Sequence, residues 1–148
     1  MYTHILIATD GSELAHKAEA TGLSLAKALG AKVTIVTVTE PWDPLSMAAL
    51  AERGKPNPIT VFEERSAAAA DRILASAKDA AKKQGATCVT VHVKDRHPAE
   101  GIIEAAEKQN CDLIVMASHG RRGLSKMFLG SQASKVVTLS ALPVLVCR

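Results

Sequence analysis

The chain has 148 residues, 47% of them apolar, and a formal net charge of +3 with both signs scattered along its length. One compact domain with ample core material follows. So mild and mixed a charge gives no argument for nucleic acid, and with only 3% aromatic residues rings on which single-strand bases could stack are scarce; no nucleic-acid partner is expected. The opening "MYTHILIATD" has neither a basic segment leading into a long apolar run nor a small-residue cleavage site, and no eighteen apolar residues are consecutive, so a soluble cytoplasmic protein with no membrane association is expected.

In chain order, Ile5 to Ala8 in "HILIATD" is a short apolar run that reads as a strand, and Ser12 to Leu29 places apolar residues at helical spacing until Gly30 stops them. "AKVTIVTVTEP" is rich in β-branched residues, as buried strands are, and Pro41 ends it. From Pro41 to about Pro58, "PWDPLSMAALAERGKPNP" has four prolines, a glycine and weak periodicity. It reads as a long flexible loop with room for one helical turn at "SMAALAE". From about Val61 to Gln84 the pattern is alanine-rich and helical, and Gly85 supplies the stop. "TCVTVHV" follows as a strand, Pro98 opens a helix through about Gln109, and "CDLIVMAS" is another apolar strand. Gly130 and Ser131 begin a last helix to about Ser140, and "PVLVC" closes the chain as a fifth strand.

Five strands alternating with four helices imply a single-domain α/β fold: a five-stranded, parallel sheet with helices on both faces, because parallel neighbours need crossover connections. Ligands of such sheets bind beyond the carboxyl ends of the strands, where the strand order reverses. Three distant segments therefore become candidates for one pocket: "ATDGS", "TVTE" and the stretch after the fourth strand.

That last stretch, "ASHGRRGLSKMFLGS" from Ala117 to Ser131, matches neither the P-loop spacing nor a G-x-G-x-x-G after the first strand. Its physics still favours an anion. Backbone N–H groups at Gly130, Ser131 and Gln132 stand at a helix start, the helix dipole adds partial positive charge, and glycine at 120 and 130 allows close backbone approach. The plainer alternative is that Gly120 and Gly123 turn the chain and Ser131 caps a helix.

From "ILIATDGS" through "DLIVMASHGRRGLSKMFLGS" to the terminal "PVLVCR", the chain resembles the universal stress proteins. Nucleotide-binding members carry glycine, two residues, glycine, nine residues, then glycine followed by serine or threonine. The last two glycines fall on Gly120 and Gly130, with Ser131 next, and the first falls on Ala117, a departure. The resemblance implies a Rossmann-like domain that binds an adenine nucleotide, most simply ATP. It places Asp10 near the ribose, Ala8 and Thr9 beside the adenine, and Val38 on adenine through its backbone. Met116, Ala117, His119 and Gly120 would form the wall from the fourth strand, with Gly130, Ser131, Gln132 and Ala133 at the phosphates. Arg121 is a charge partner, and a magnesium or manganese ion would be held by phosphate oxygens, since no Asp or Glu lies in the glycine stretch. Alanine at 117 disfavours positive φ, so it weakens binding if that conformation is needed; at the end of an ordinary strand it costs little, and 117 ends an apolar strand.

Asp10 has a competing role as a helix cap in "DGSE". His119 lacks a suitably placed nucleophile and reads as a pocket wall; His4, His16, His92 and His97 have no ligand spacing. Arg121, Arg122 and Lys126 form a small basic cluster, either solvated or attracting phosphate. The loop from 41 to 58 leaves the second strand beside the adenine, as a lid would. Cys88, Cys111 and Cys147 lack metal or redox spacing and read as reduced core residues. The final apolar strand needs cover at a sheet edge, and the resemblance implies a homodimer through it. The leading function is nucleotide-dependent interaction with a protein partner in stress response, without dedicated catalysis. Slow ATP hydrolysis or autophosphorylation, and a nucleotide-free interaction module, are the alternatives.

Overall fold

A computed structural model describes residues 1–54, 56–121 and 128–148. The elements run β1 (His4–Ala8), α1 (Glu13–Leu29), β2 (Lys32–Val38), α2 (Pro44–Glu52), α3 (Pro58–Lys83), β3 (Val89–Val93), α4 (Pro98–Lys108), β4 (Leu113–Ala117), α5 (Ser131–Leu139) and β5 (Val144–Cys147). All strand pairs are parallel, in the order β3-β2-β1-β4-β5. The expected α/β fold is thus the observed one.

The central strand explains the layers. Successive side chains of a strand point to opposite faces, and Ile5 and Ile7 pack with Leu23 and Ala26 of α1 and Leu74 and Ala77 of α3. Leu6 and Ala8 pack on the other face with Ile102 and Ala105 of α4 and Ala133 and Val136 of α5. Apolar residues at consecutive positions of β1 are therefore required by two covered faces. The register sets Ile5 beside Val33 of β2 and Leu113 of β4.

Between 41 and 58 the chain departs from the expected loop. A fifth helix, α2, occupies Pro44–Glu52, and α3 begins at Pro58, ahead of Val61. Pro44 and Pro58 stand at the starts of these helices, where a missing N–H costs nothing. Asp43 caps α2 by accepting the N–H of Ser46 at 2.9 Å, and Met47 and Leu50 are buried. Proline count misled because proline position was what mattered.

Cys88, Cys111 and Cys147 are free thiols, the second buried and the others half-buried. No helix among the described residues is long and apolar enough to cross a membrane.

Candidate functional site

In this strand order the chain leaves β1 toward β2 on one side, while β4 and β5 lie on the other. The crevice beyond the carboxyl ends of β1 and β4 is the switch point such a sheet offers a ligand. A cavity of about 700 Å³ occupies it.

The thirteen residues singled out in the sequence are brought together there. Ala8, Thr9 and Asp10 come from the end of β1, Val38 from the end of β2, and Met116 and Ala117 from the end of β4. His119, Gly120 and Arg121 follow β4, and Gly130, Ser131, Gln132 and Ala133 form the start of α5. Arg122, Gly123 and Lys126 lie outside the described residues. No described residue between 41 and 58 joins the lining, so the segment proposed as a lid contributes no wall; α3 does, through Ser66, Ala69, Ala70 and Ile73. These four belong to no motif, although the alanine run at 67–70 marks a helix face with little side-chain bulk. Thr37, Thr39, Glu40 and Ser118 also line the cavity, as do Pro98 and Ile102 of α4. Thr37, Thr39 and Glu40 fall in "TVTE" and Ser118 in the stretch after the fourth strand, two of the segments expected to share the pocket.

Asp10 fastens two segments of this wall. Its Oδ1 accepts the Ser12 N–H and its Oδ2 accepts the Arg121 N–H, both at 2.9 Å. Each carboxylate oxygen keeps a further lone pair for an outside donor such as a hydroxyl. Helix α1 is capped by Ser12, which accepts from Ala15 N at 3.2 Å. Gly120 sits so close to the carboxylate that a Cβ there would lie 2.9 Å from Oδ2.

Gly130 answers to a different contact. Its N–H donates to the Ser118 carbonyl at 2.8 Å, and a Cβ would lie 2.7 Å from the same oxygen. Its backbone, φ −60 and ψ 154, is open to any residue, so space decides. This corrects the list of donors expected at the helix start. The first intrahelical bond is Ser134 N to Gly130 O at 2.9 Å, which leaves the N–H groups of Ser131, Gln132 and Ala133 without intrahelical acceptors. Gly130 also occupies the N-cap, with Ser131 as the first helical residue.

The Gln132 side chain is engaged elsewhere. Its Oε1 accepts the Ala99 N–H at 3.2 Å, capping α4, whose own N-cap residue His97 offers no side-chain bond. His119 Nδ1 lies 3.1 Å from Ser118 Oγ. The starts of α1, α4 and α5 all stand at this sheet edge, and their dipoles favour negative charge there. Among the described lining residues Arg121 carries positive charge, and Asp10 and Glu40 are acidic. No group of three His, Cys, Asp or Glu among the described residues could hold a metal ion.

Comparison with known proteins gives one consistent family. The universal stress protein family model matches residues 1–148. The chain is 33% identical over 148 residues to the "Universal stress protein in QAH/OAS sulfhydrylase 3'region" of Thermus aquaticus, covering 100% of both. In fold it is similar to protein MJ0577 of Methanocaldococcus jannaschii, with TM-score 0.78 and 26% identity over 99% of this chain and 96% of that one. It is also similar to a universal stress protein solved in complex with cAMP, with TM-score 0.74 and 25% identity over 99% and 97% of the two chains.

Proposed function

This chain belongs to the universal stress protein family, and from that premise we propose that it binds an adenine nucleotide, ATP foremost, and answers stress through nucleotide-dependent interactions with a protein partner in the cytoplasm. The observation that carries the reading is the junction of Asp10 with the Gly120–Arg121 backbone at the rim of a cavity of about 700 Å³, with the start of α5 lining the same cavity. A polar anchor and an anion-favouring helix start in one cleft suit a molecule with both a sugar and phosphates. The related protein bound to cAMP supports an adenine ligand.

In this reading Asp10 accepts the ribose hydroxyls, while Ala8, Thr9 and the Val38 backbone border the adenine. Met116, Ala117, His119 and Gly120 form the wall from β4. The backbone N–H groups of Ser131, Gln132 and Ala133 receive the phosphates, Gly130 brings that turn close to β4, and Arg121 adds charge. With no group of three His, Cys, Asp or Glu among the described residues placed to hold a metal ion, a magnesium or manganese ion would be carried by phosphate oxygens, which such hard cations favour. The role is binding and signalling.

We further propose a homodimer through β5. Residues Val144 to Cys147 form an edge strand and are only half-buried, and Val137 and Leu139 of the neighbouring α5 are exposed. A dimer by light scattering at micromolar concentration is expected, and a monomer would refute it. For the ligand, mass spectrometry of whatever the purified protein releases on denaturation should find an adenine nucleotide. A different class of small molecule would count against the assignment.

A further inference from the structure

Beneath the Asp10 turn lies a group outside the cavity lining. Glu19, on α1, is 2% exposed, and the hydroxyl of Thr9 donates to its Oε1. Its Oε2 lies 3.1 Å from His16 Nδ1. The same Thr9 hydroxyl accepts the Gly11 N–H at 3.2 Å, and Gly11 has φ +75, a left-handed conformation suited to glycine. Between Thr9 and Gly11 stands Asp10, with its carboxylate turned to Ser12 and Arg121.

We infer that Glu19 is a positioning residue: through the Thr9 hydroxyl it holds the turn that presents Asp10 to the site. Burying a carboxyl group is costly, and a buried polar pair replaced whole by apolar side chains is often neutral or stabilising. Packing alone therefore gives no reason for a glutamate on a face otherwise filled by Ala15, Ala18, Gly22 and Leu23. Orientation does. A hydroxyl rotates freely until an acceptor fixes its proton, and once Thr9 donates to Glu19 its lone pairs are directed to Gly11. One buried acceptor thus sets the geometry of three successive residues, and Asp10 passes it to Arg121.

The consequence for ligand affinity rests on the nucleotide reading above; the consequence for the turn does not. The test compares Glu19→Met, Glu19→Gln and Thr9→Val. In the nucleotide-free protein, Glu19→Met should speed amide exchange at Gly11 and Arg121 about tenfold with little change at Leu6 in β1. The melting temperature should fall slightly, since the buried Thr9 hydroxyl loses its acceptor, and should recover in the Glu19→Met/Thr9→Val double variant, which removes both partners. The ATP dissociation constant should rise about tenfold. Glu19→Gln, which keeps an acceptor for Thr9, should restore both within about twofold. Thr9→Val should mimic Glu19→Met, and the double variant should be no worse than either. Unchanged exchange at Gly11 and Arg121, or faster exchange spread evenly through the core, would overturn the inference. Should Glu19→Met fail to fold, Thr9→Val decides by the same readout. If the wild type takes up no ATP, the nucleotide reading falls and the exchange measurements still decide this one.

Discussion

Asp10 Oδ2 accepts the backbone N–H of Arg121 at 2.9 Å across 111 positions of sequence. The bond joins the end of the first strand to the stretch that follows the fourth, on opposite sides of the topological switch. Removing the carboxylate in Asp10→Ala deletes a half-buried hydrogen bond to Ser12 and an exposed one to Arg121, and a loss of about 0.5–1.5 kcal/mol in stability is expected. ATP affinity should fall at least about tenfold, which corresponds to 1.4 kcal/mol. Chemical denaturation and calorimetric titration measure the two effects; an Asp10→Ala variant with unaltered affinity would remove Asp10 from the site.

Gly120 and Gly130 should not respond alike to alanine. The added Cβ at 120 meets the end of the Asp10 side chain, whereas at 130 it meets the Ser118 backbone carbonyl. A side chain swings aside more readily than the exit of a buried strand. Overpacking costs about 1–3 kcal/mol, and Gly130→Ala is expected near the top of that range with Gly120→Ala near the bottom. Thermal unfolding of the two variants ranks them, and the reverse order would contradict the packing account.

Ala117 stands where nucleotide-binding relatives were expected to have glycine. It is the last residue of β4, pairs with Cys147, and is absent from the described residues with positive φ. No unusual conformation calls for glycine there. Ala117→Gly should shift ATP affinity by less than about threefold, well under the 1.4 kcal/mol of a tenfold change, and should cost stability by about 0.5–1 kcal/mol. A large gain in affinity would mean that the alanine methyl obstructs the ligand.

The fold was legible wherever the pattern was local. β1, β2 and β4 announced themselves because strands covered on both faces must be apolar at successive positions, and the helix stops at Gly30 and Gly85 fell where expected. α2 was not legible, since its hydrophobic face is only Met47 and Leu50 and its flanking prolines look like loop signals. The site was legible where residues sit at strand ends. The Gln132 cap on Ala99, the Glu19–Thr9 pair and the α3 wall were not, because each depends on which helices the sheet brings side by side.

Cys111 gives a prediction independent of any ligand. Burial, reinforced by the neighbouring Asp112 charge, pushes its thiol up to about 11 from 9.0. A thiol whose folded value is raised contributes stability that is fully present below about pH 9 and is lost as pH climbs toward 11. The two-unit difference corresponds to roughly 2–3 kcal/mol. Cys111→Ala should flatten the decline of stability between pH 9 and 11, measured by denaturant melts, and the wild-type Cys111 should resist alkylation at pH 8. Rapid labelling of native Cys111 at that pH would contradict its burial.

Calorimetric titration of nucleotide-free protein with ATP, run beside Asp10→Ala, tests the central claim most directly. The account predicts saturable binding of one ATP per chain that is weakened at least about tenfold in the variant. Absence of binding by the folded wild-type protein at millimolar ATP, or equal binding by both proteins, would contradict it.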